Sequence, residues 1–299
     1  MHTLAVTAKP GEITPLPVIL FCLLWSSAFA AAKVALGYCP PLLLLGTRFL
    51  LAGALILSAC ALFGRLERLS WRDLGVLAFV GVLNNACYLG LSYEGMTTVS
   101  SGFTAVVISA NPLLTALLAA PFLGEQLTGR KLAGLLLGMV GVALVVRSRL
   151  GSGAEDVTGT LFVLGALVTL AIATLVFKRA GTGTSLWMSS GIQSLAGGLA
   201  LLPVALLTED VGAVHMSTPL IFSFLYLTLG ASVGGFSLWF FILKRASATK
   251  ASALHFLMPP LGLMFGWLVL GETVPPLDLL GIVPIVLGIR LVTTAPQKR

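Results

Sequence analysis

Two stretches of this chain, residues 91–146 and 238–293, align without a gap at an offset of 147 residues. Pro112 falls on Pro259, Gly124-Glu125 on Gly271-Glu272, Gly134 on Gly281, Gly141 on Gly288, and Leu144-Val145 on Leu291-Val292. Solenoid repeats run roughly 20–50 residues, so a period this long marks a duplicated half-protein. The fold must then be assembled from two related units, residues 1–150 and 151–299.

Hydropathy sets the solvent for those units. Of the 299 residues, 57% are hydrophobic and only 10% are charged, with a mean hydropathy of +1.02. Soluble domains carry roughly 25% charged residues, so the expected surroundings are a lipid bilayer. No water completes backbone hydrogen bonds there, which leaves helices or closed barrels. The apolar segments lack period-2 alternation, and each is about 20 residues, enough to cross a core of roughly 30 Å as a helix. The expected fold is an all-α integral membrane protein with ten transmembrane helices as two inverted five-helix repeats. The spans fall near 16–36, 40–63, 74–95, 100–122, 131–147, 158–177, 185–207, 219–243, 248–270 and 276–293. The first apolar run reaches spanning length without a small-residue cleavage site, so it reads as a span rather than a leader. Cys22, Cys39, Cys60 and Cys87 have neither disulfide nor metal spacing and read as small core residues.

The net charge is +7. In a soluble protein that would suggest nucleic acid; here the cations sit in short loops, and no nucleic-acid partner is expected. With the N-terminus inside, the inner loops and tails collect 14 lysines and arginines, and the outer side only Lys33, Arg147 and Arg149. That bias predicts both termini in the cytoplasm. Five spans per half is an odd number, so the second half enters upside down, with Glu125 inside and its mate Glu272 outside. A unit used in both orientations lets a fold open first to one face and then to the other.

The mid-depth residues give the candidate site. Span 1 offers Trp25 and Ser26, span 3 Asn84, Asn85 and Tyr88, and span 7 Gln193. Asn84 and Tyr88 share a helix face at i and i+4, and an amide beside a phenol suits a zwitterion. The competing reading is an interhelical hydrogen bond worth about 0.6 kcal/mol. Trp25 and Trp239 can wall an apolar pocket, whereas Trp71, Trp187 and Trp267 fit interfacial belts. Arg48 is the one charge well inside a span, costing roughly 2.5–3.5 kcal/mol if unpaired; it either anchors a substrate carboxylate or holds carbonyls. His255 is the sole membrane histidine, a partnered polar group or a titrating switch. Pro112 and the Pro259-Pro260 pair put a kink at matched places in each half, either as gating hinges or as fixed bends.

Trp25-Ser-Ser-Ala-Phe29 followed by Lys33, then Arg48-Phe-Leu-Leu-Ala52, resembles the opening of EamA-type members of the drug/metabolite transporter superfamily. The order Pro112, Gly124-Glu125, Gly134, Gly141, seen again in the second half, resembles them too. No copy of the Trp-Ser-Ser-Ala-Phe box stands near 165–175. The resemblance implies ten helices, a multi-pass place in a bacterial inner membrane, and small metabolites as substrates. The YddG-like amino-acid exporters are the nearest branch, which implies outward movement of aromatic or broad-range amino acids.

All eleven acidic residues fall in loops or at span ends. Proton-driven carriers relay through intramembrane carboxylates or histidines, so facilitated or weakly coupled transport is expected. Three histidines cannot supply the His-Glu-x-x-His helix of a zinc protease, and neither charge rings nor a carbonyl filter point to a channel. No enzyme activity, cofactor or metal is expected. A midplane with one arginine and no carboxylate suits a neutral or zwitterionic metabolite, amino acids first and drugs second. Ten spans with an internal two-fold can work as a monomer.

Overall fold

The structure, a computed structural model, describes residues 15–150, 155–274 and 276–294. Its helices, in chain order, are α1 Pro15–Leu36, α2 Pro41–Leu62, α3 Trp71–Thr98, α4 Ser101–Leu123, α5 Gly129–Leu150, α6 Val157–Ala180, α7 Leu186–Thr208, α8 Thr218–Arg245, α9 Ala248–Leu270 and α10 Pro276–Thr293. No strand occurs among the described residues. Among the described residues, eight of these helices, α1 to α4 and α6 to α9, are long and apolar enough to cross a membrane. Outward-facing Leu, Ile, Val and Phe side chains such as Leu16, Ile19, Leu55 and Leu199 stay exposed, as lipid contact requires.

Short polar residues start the helices. Ser70, Ser100, Ser185, Ser217 and Ser247 each accept the backbone N–H three residues on, and Asp156 does the same at α6. This satisfies N–H groups that a helix start leaves free. Gly124 and Gly271, repeat mates, end α4 and α9 at φ 66° and 67°, a left-handed conformation that glycine adopts at no steric cost.

The duplication appears in three dimensions as exchange. Glu125, at the end of α4, accepts from Ala248 N (2.7 Å) and Thr249 Oγ1 (2.7 Å) at the start of α9. Its mate Glu272, at the end of α9, accepts from Ser101 N (3.1 Å), Ser101 Oγ (2.8 Å) and Gly102 N (3.2 Å) at the start of α4. The α2–α7 pair follows the same rule. Glu67, after α2, takes the Ser185 N–H, and Glu209, after α7, takes the Leu42 and Leu43 N–H groups at 2.8 and 2.7 Å. In both pairs each start lies beside the partner's end, so the paired helices run antiparallel. The loop carboxylates neutralise the positive helix starts of the other half.

The glycines of α5 and α10 exchange likewise. A Cβ on Gly134 would lie 2.8 Å from the Gly288 carbonyl, and one on Gly141 would lie 2.5 Å from that of Gly281. Each glycine therefore meets the mate of the other, and the small residues let the two backbones touch. Replacing Glu209 with Gln removes a charge-assisted clamp on two α2 N–H groups. The expected loss is about 0.5–2 kcal/mol, read as a lower Tm in detergent, with Asp210→Asn, whose carboxylate accepts from Gly212 N within its own turn, as the smaller comparison.

Four helices are interrupted near mid-depth, again in mated pairs. α3 widens to π-helix over Val82–Tyr88, and α8 over Tyr226–Gly235. α4 breaks at Ser109-Ala110 and resumes at Asn111, while α9 passes through a 3₁₀ stretch, Ala253–Leu257, and resumes at Met258. Pro112 and Pro259 sit second in the resumed helices. In that first turn a missing N–H costs nothing, so the break lies just ahead of each proline.

Candidate functional site

Both π-helical stretches contribute to one cavity wall, through Tyr88 and Ala231. A cavity of about 20 Å³, measured as the space open to the centre of a water molecule, lies between α1, α2, α3 and α8. Trp25, Ala28 and Phe29 come from α1, Arg48 from α2, Tyr88, Leu89 and Tyr93 from α3, and Ala231 and Phe236 from α8. That volume holds about one water and no metabolite, so the helices around it are closed.

Arg48 is 2% exposed, and its guanidinium binds neutral groups: Nε donates to Ser232 Oγ (2.7 Å) and Nη1 to Tyr93 OH (2.6 Å). Its carbon lies 4.9 Å from the Phe49 ring centre and 6.0 Å from that of Tyr93. Among the described residues no carboxylate pairs with it. An uncompensated cation in low dielectric is costly and attracts an anion.

Next to the arginine lies an aromatic box. Trp25 packs on Phe236 (4.9 Å between ring centres), Phe21 (5.1 Å) and Trp239 (6.3 Å). The His255 ring stands edge-on to Trp239 at 4.9 Å and to Trp25 at 6.2 Å. Its Nδ1 bonds the Ser252 carbonyl at 3.0 Å, and Nε2 has no hydrogen-bond partner among the described residues. Ser27 Oγ and Tyr226 OH, 2.5 Å apart, tie α1 to the π-helical stretch of α8.

Of the residues expected at a site, Trp25, Arg48 and Tyr88 line the cavity, and Trp239 and His255 join it through the aromatic box. Ser26 is fully buried, and its hydroxyl has no partner among the described residues. Asn84 is buried but absent from the cavity wall, and its Oδ1 has no partner among the described residues. Gln193 and Asn85 belong to a different contact, the seam between α3 and α7. Gly81 meets the Gln193 backbone, and Gly197 meets Asn85 Cβ. Among the described residues, both Gln193 amide atoms and Asn85 Oδ1 are unpartnered there. Pro112, Pro259 and Pro260 lie at the helix breaks rather than on the wall. Trp71, Trp187 and Trp267 are 88%, 44% and 60% exposed, whereas Trp25 and Trp239 are buried.

Tyr93 and Phe236 were not among the expected site residues. Residues five apart point about 140° apart on a regular α-helix, so nothing in the spacing joins Tyr93 to Tyr88. The wide turns ending at Tyr88 shift the register of the rest of α3, Tyr93 included. The amide pair Asn84-Asn85 and the glycines Gly230, Gly234 and Gly235 are the available signal, since polar and small residues mark interrupted helices.

Helices broken in mated pairs around a central cavity, carried by two like halves in a membrane, define a transporter. The chain belongs to the EamA-like transporter family, which matches residues 14–147 and again 157–294. Similar proteins include "Uncharacterized transporter YvbV" of Bacillus subtilis, 29% identical over 97% of this chain and 94% of its own length. A "Probable terminal-alkyne amino-acid exporter" of Streptantibioticus cattleyicolor is 31% identical over 88% of each chain. The "S-adenosylmethionine/S-adenosylhomocysteine transporter" of Chlamydia trachomatis is 31% identical over 92% of this chain and 87% of that one. A solved crystal structure shares the fold at a TM-score of 0.76 and 21% identity, covering 93% of this chain and 95% of the other.

Proposed function

We propose that this transporter exports small zwitterionic metabolites, amino acids foremost, by alternating access through the central cavity. The observation that carries this is Arg48, a buried cation on the cavity wall that, among the described residues, is bonded only to neutral groups. A substrate carboxylate would supply the missing countercharge in a planar, bidentate way. The ammonium group finds no carboxylate on the wall but does find the faces of Trp25, Phe29 and Phe236, which attract cations. The substrates named for two relatives share an amino-acid head, which fits the same cradle.

In this reading all ten helices cross the membrane, α5 and α10 as outer scaffold, and the unit 151–299 is inverted relative to 1–150. The loop cations put the end bearing Lys178 and Glu125, and both termini, in the cytoplasm. A single chain carries the whole pathway. The site also takes in Tyr88, Trp239 and His255, with Asn84, Ser26 and Gln193 reached as the helices part. Proteoliposomes loaded with an unlabelled amino-acid pool test it. Labelled phenylalanine, methionine or threonine should enter by saturable counterflow; folded, inserted protein that exchanges none of them would move the assignment to drugs or other metabolites.

A further inference from the structure

The two turns that join broken helices, α3 to α4 and α8 to α9, are each gripped between a lysine and a glutamate, at opposite ends of the molecule. At one end Lys33 Nζ donates to the Met96 and Val99 carbonyls (2.5 and 2.9 Å), where α3 stops. Beside it, Glu272 takes the N–H groups of Ser101 and Gly102, where α4 starts. At the other end Lys178 Nζ donates to the Leu243 and Ala246 carbonyls (2.7 and 2.5 Å), where α8 stops. Glu125 takes the N–H groups of Ala248 and Thr249, where α9 starts. The four carbonyl acceptors are mates at the 147-residue offset, Met96 with Leu243 and Val99 with Ala246. Cations on free carbonyls and anions on free N–H groups are the favourable signs at a helix end and a helix start.

The Lys33 clamp lies directly beyond the cavity wall, and the Lys178 clamp is linked to that wall through aromatic rings. Lys33 is one turn from Phe29 and Met96 one turn from Tyr93, both wall residues. Lys178 follows Phe177, whose ring packs on Phe240 (4.8 Å), which packs on the wall residue Phe236 (6.0 Å). The clamps differ in reinforcement. At the Lys33 end Glu155 adds bonds to Ser100 N (2.8 Å) and Oγ (2.5 Å). At the Lys178 end a cavity of about 410 Å³ opens beside Glu125, Lys178 and Ser247.

We propose that Lys33 and Lys178 are the positioning residues of two opposed gates, each holding its own end of the cavity shut, with the Lys178 gate the one that opens first. The proposal rests on the alternating-access reading above but on no particular substrate. Losing one clamp leaves the other intact, so each loss biases the protein toward opening at the damaged end.

Solvent accessibility of a single cysteine at Ala28, on the cavity wall, tests this without any substrate. In a background lacking the four native cysteines, Ala28→Cys is labelled with a membrane-impermeant maleimide from either side of oriented vesicles. Lys33→Met should raise the ratio of labelling from the Lys33 end to labelling from the Lys178 end at least about tenfold, the effect of losing its charge-assisted hydrogen bonds to Met96 and Val99. Lys178→Met should lower the ratio by a similar factor, the double variant should return toward the parent, and Lys33→Arg should resemble the parent. If a methionine variant does not fold, Glu272→Gln and Glu125→Gln take the same places in the assay. Shifts in the same direction from both ends, or no shift from either, would overturn the proposal while leaving the amino-acid assignment to the counterflow assay.

Discussion

Arg48→Gln is expected to weaken amino-acid binding about 10–100-fold, the cost of losing a hydrogen bond to a charged group at roughly 1.5–3 kcal/mol. Its thermal stability should hold or rise. Arg48 has no carboxylate partner among the described residues, so removing its charge also removes a desolvation penalty. Arg48→Lys keeps the charge but loses the planar fork that reaches Ser232 and Tyr93 together, so it should bind at an intermediate level. The split between binding and stability is the informative part. A purely structural arginine, one that only holds Tyr93 and Ser232 in place, would lower Tm in proportion to any loss of transport.

The largest structural effect is expected at Gly81. A Cβ there runs into the Gln193 backbone carbonyl and Cα, which belong to α7 and cannot swing aside. Gly81→Ala therefore forces α3 and α7 apart along the seam that carries Asn85 and Gln193, at a cost of about 1–3 kcal/mol or more. Gly75, two turns earlier on the same helix, has nothing within 4 Å of such a Cβ. Gly75→Ala should be neutral or gain roughly 0.5–1 kcal/mol of helix propensity. Thermal unfolding in detergent compares the two, and equal Tm values would mean that α3 and α7 do not pack this closely.

The spans were legible because about 20 apolar residues between Gly, Pro and charged breakers leave one physical option, and α1 to α4 and α6 to α9 fall within a few residues of expectation. The pairing of halves was legible too, since Gly124-Glu125 and Gly271-Glu272 stand at matched positions. What those glutamates do was not. Sequence showed only that acids avoid the spans; that Glu125 caps α9 and Glu272 caps α4 is a consequence of the antiparallel crossing of two mated helices. The prolines drew attention to the breaks in α4 and α9. The π-helical stretches of α3 and α8 carry no proline and were missed, and with them Tyr93. A π-turn arises from how a helix fits its neighbours, here the contacts of α3 with α7 and of α8 with α1, and single-chain periodicity does not record that fit.

Binding of phenylalanine against phenylalaninol, which replaces the carboxylate with a hydroxymethyl group, tests the central assignment most directly. The tryptophans Trp25 and Trp239 beside the cavity supply a fluorescence signal in purified protein. Phenylalanine should bind at least about tenfold more tightly than phenylalaninol, and Arg48→Gln should erase that preference. Equal affinity for the two ligands, or a preference that survives the loss of Arg48, would contradict a carboxylate seat at Arg48.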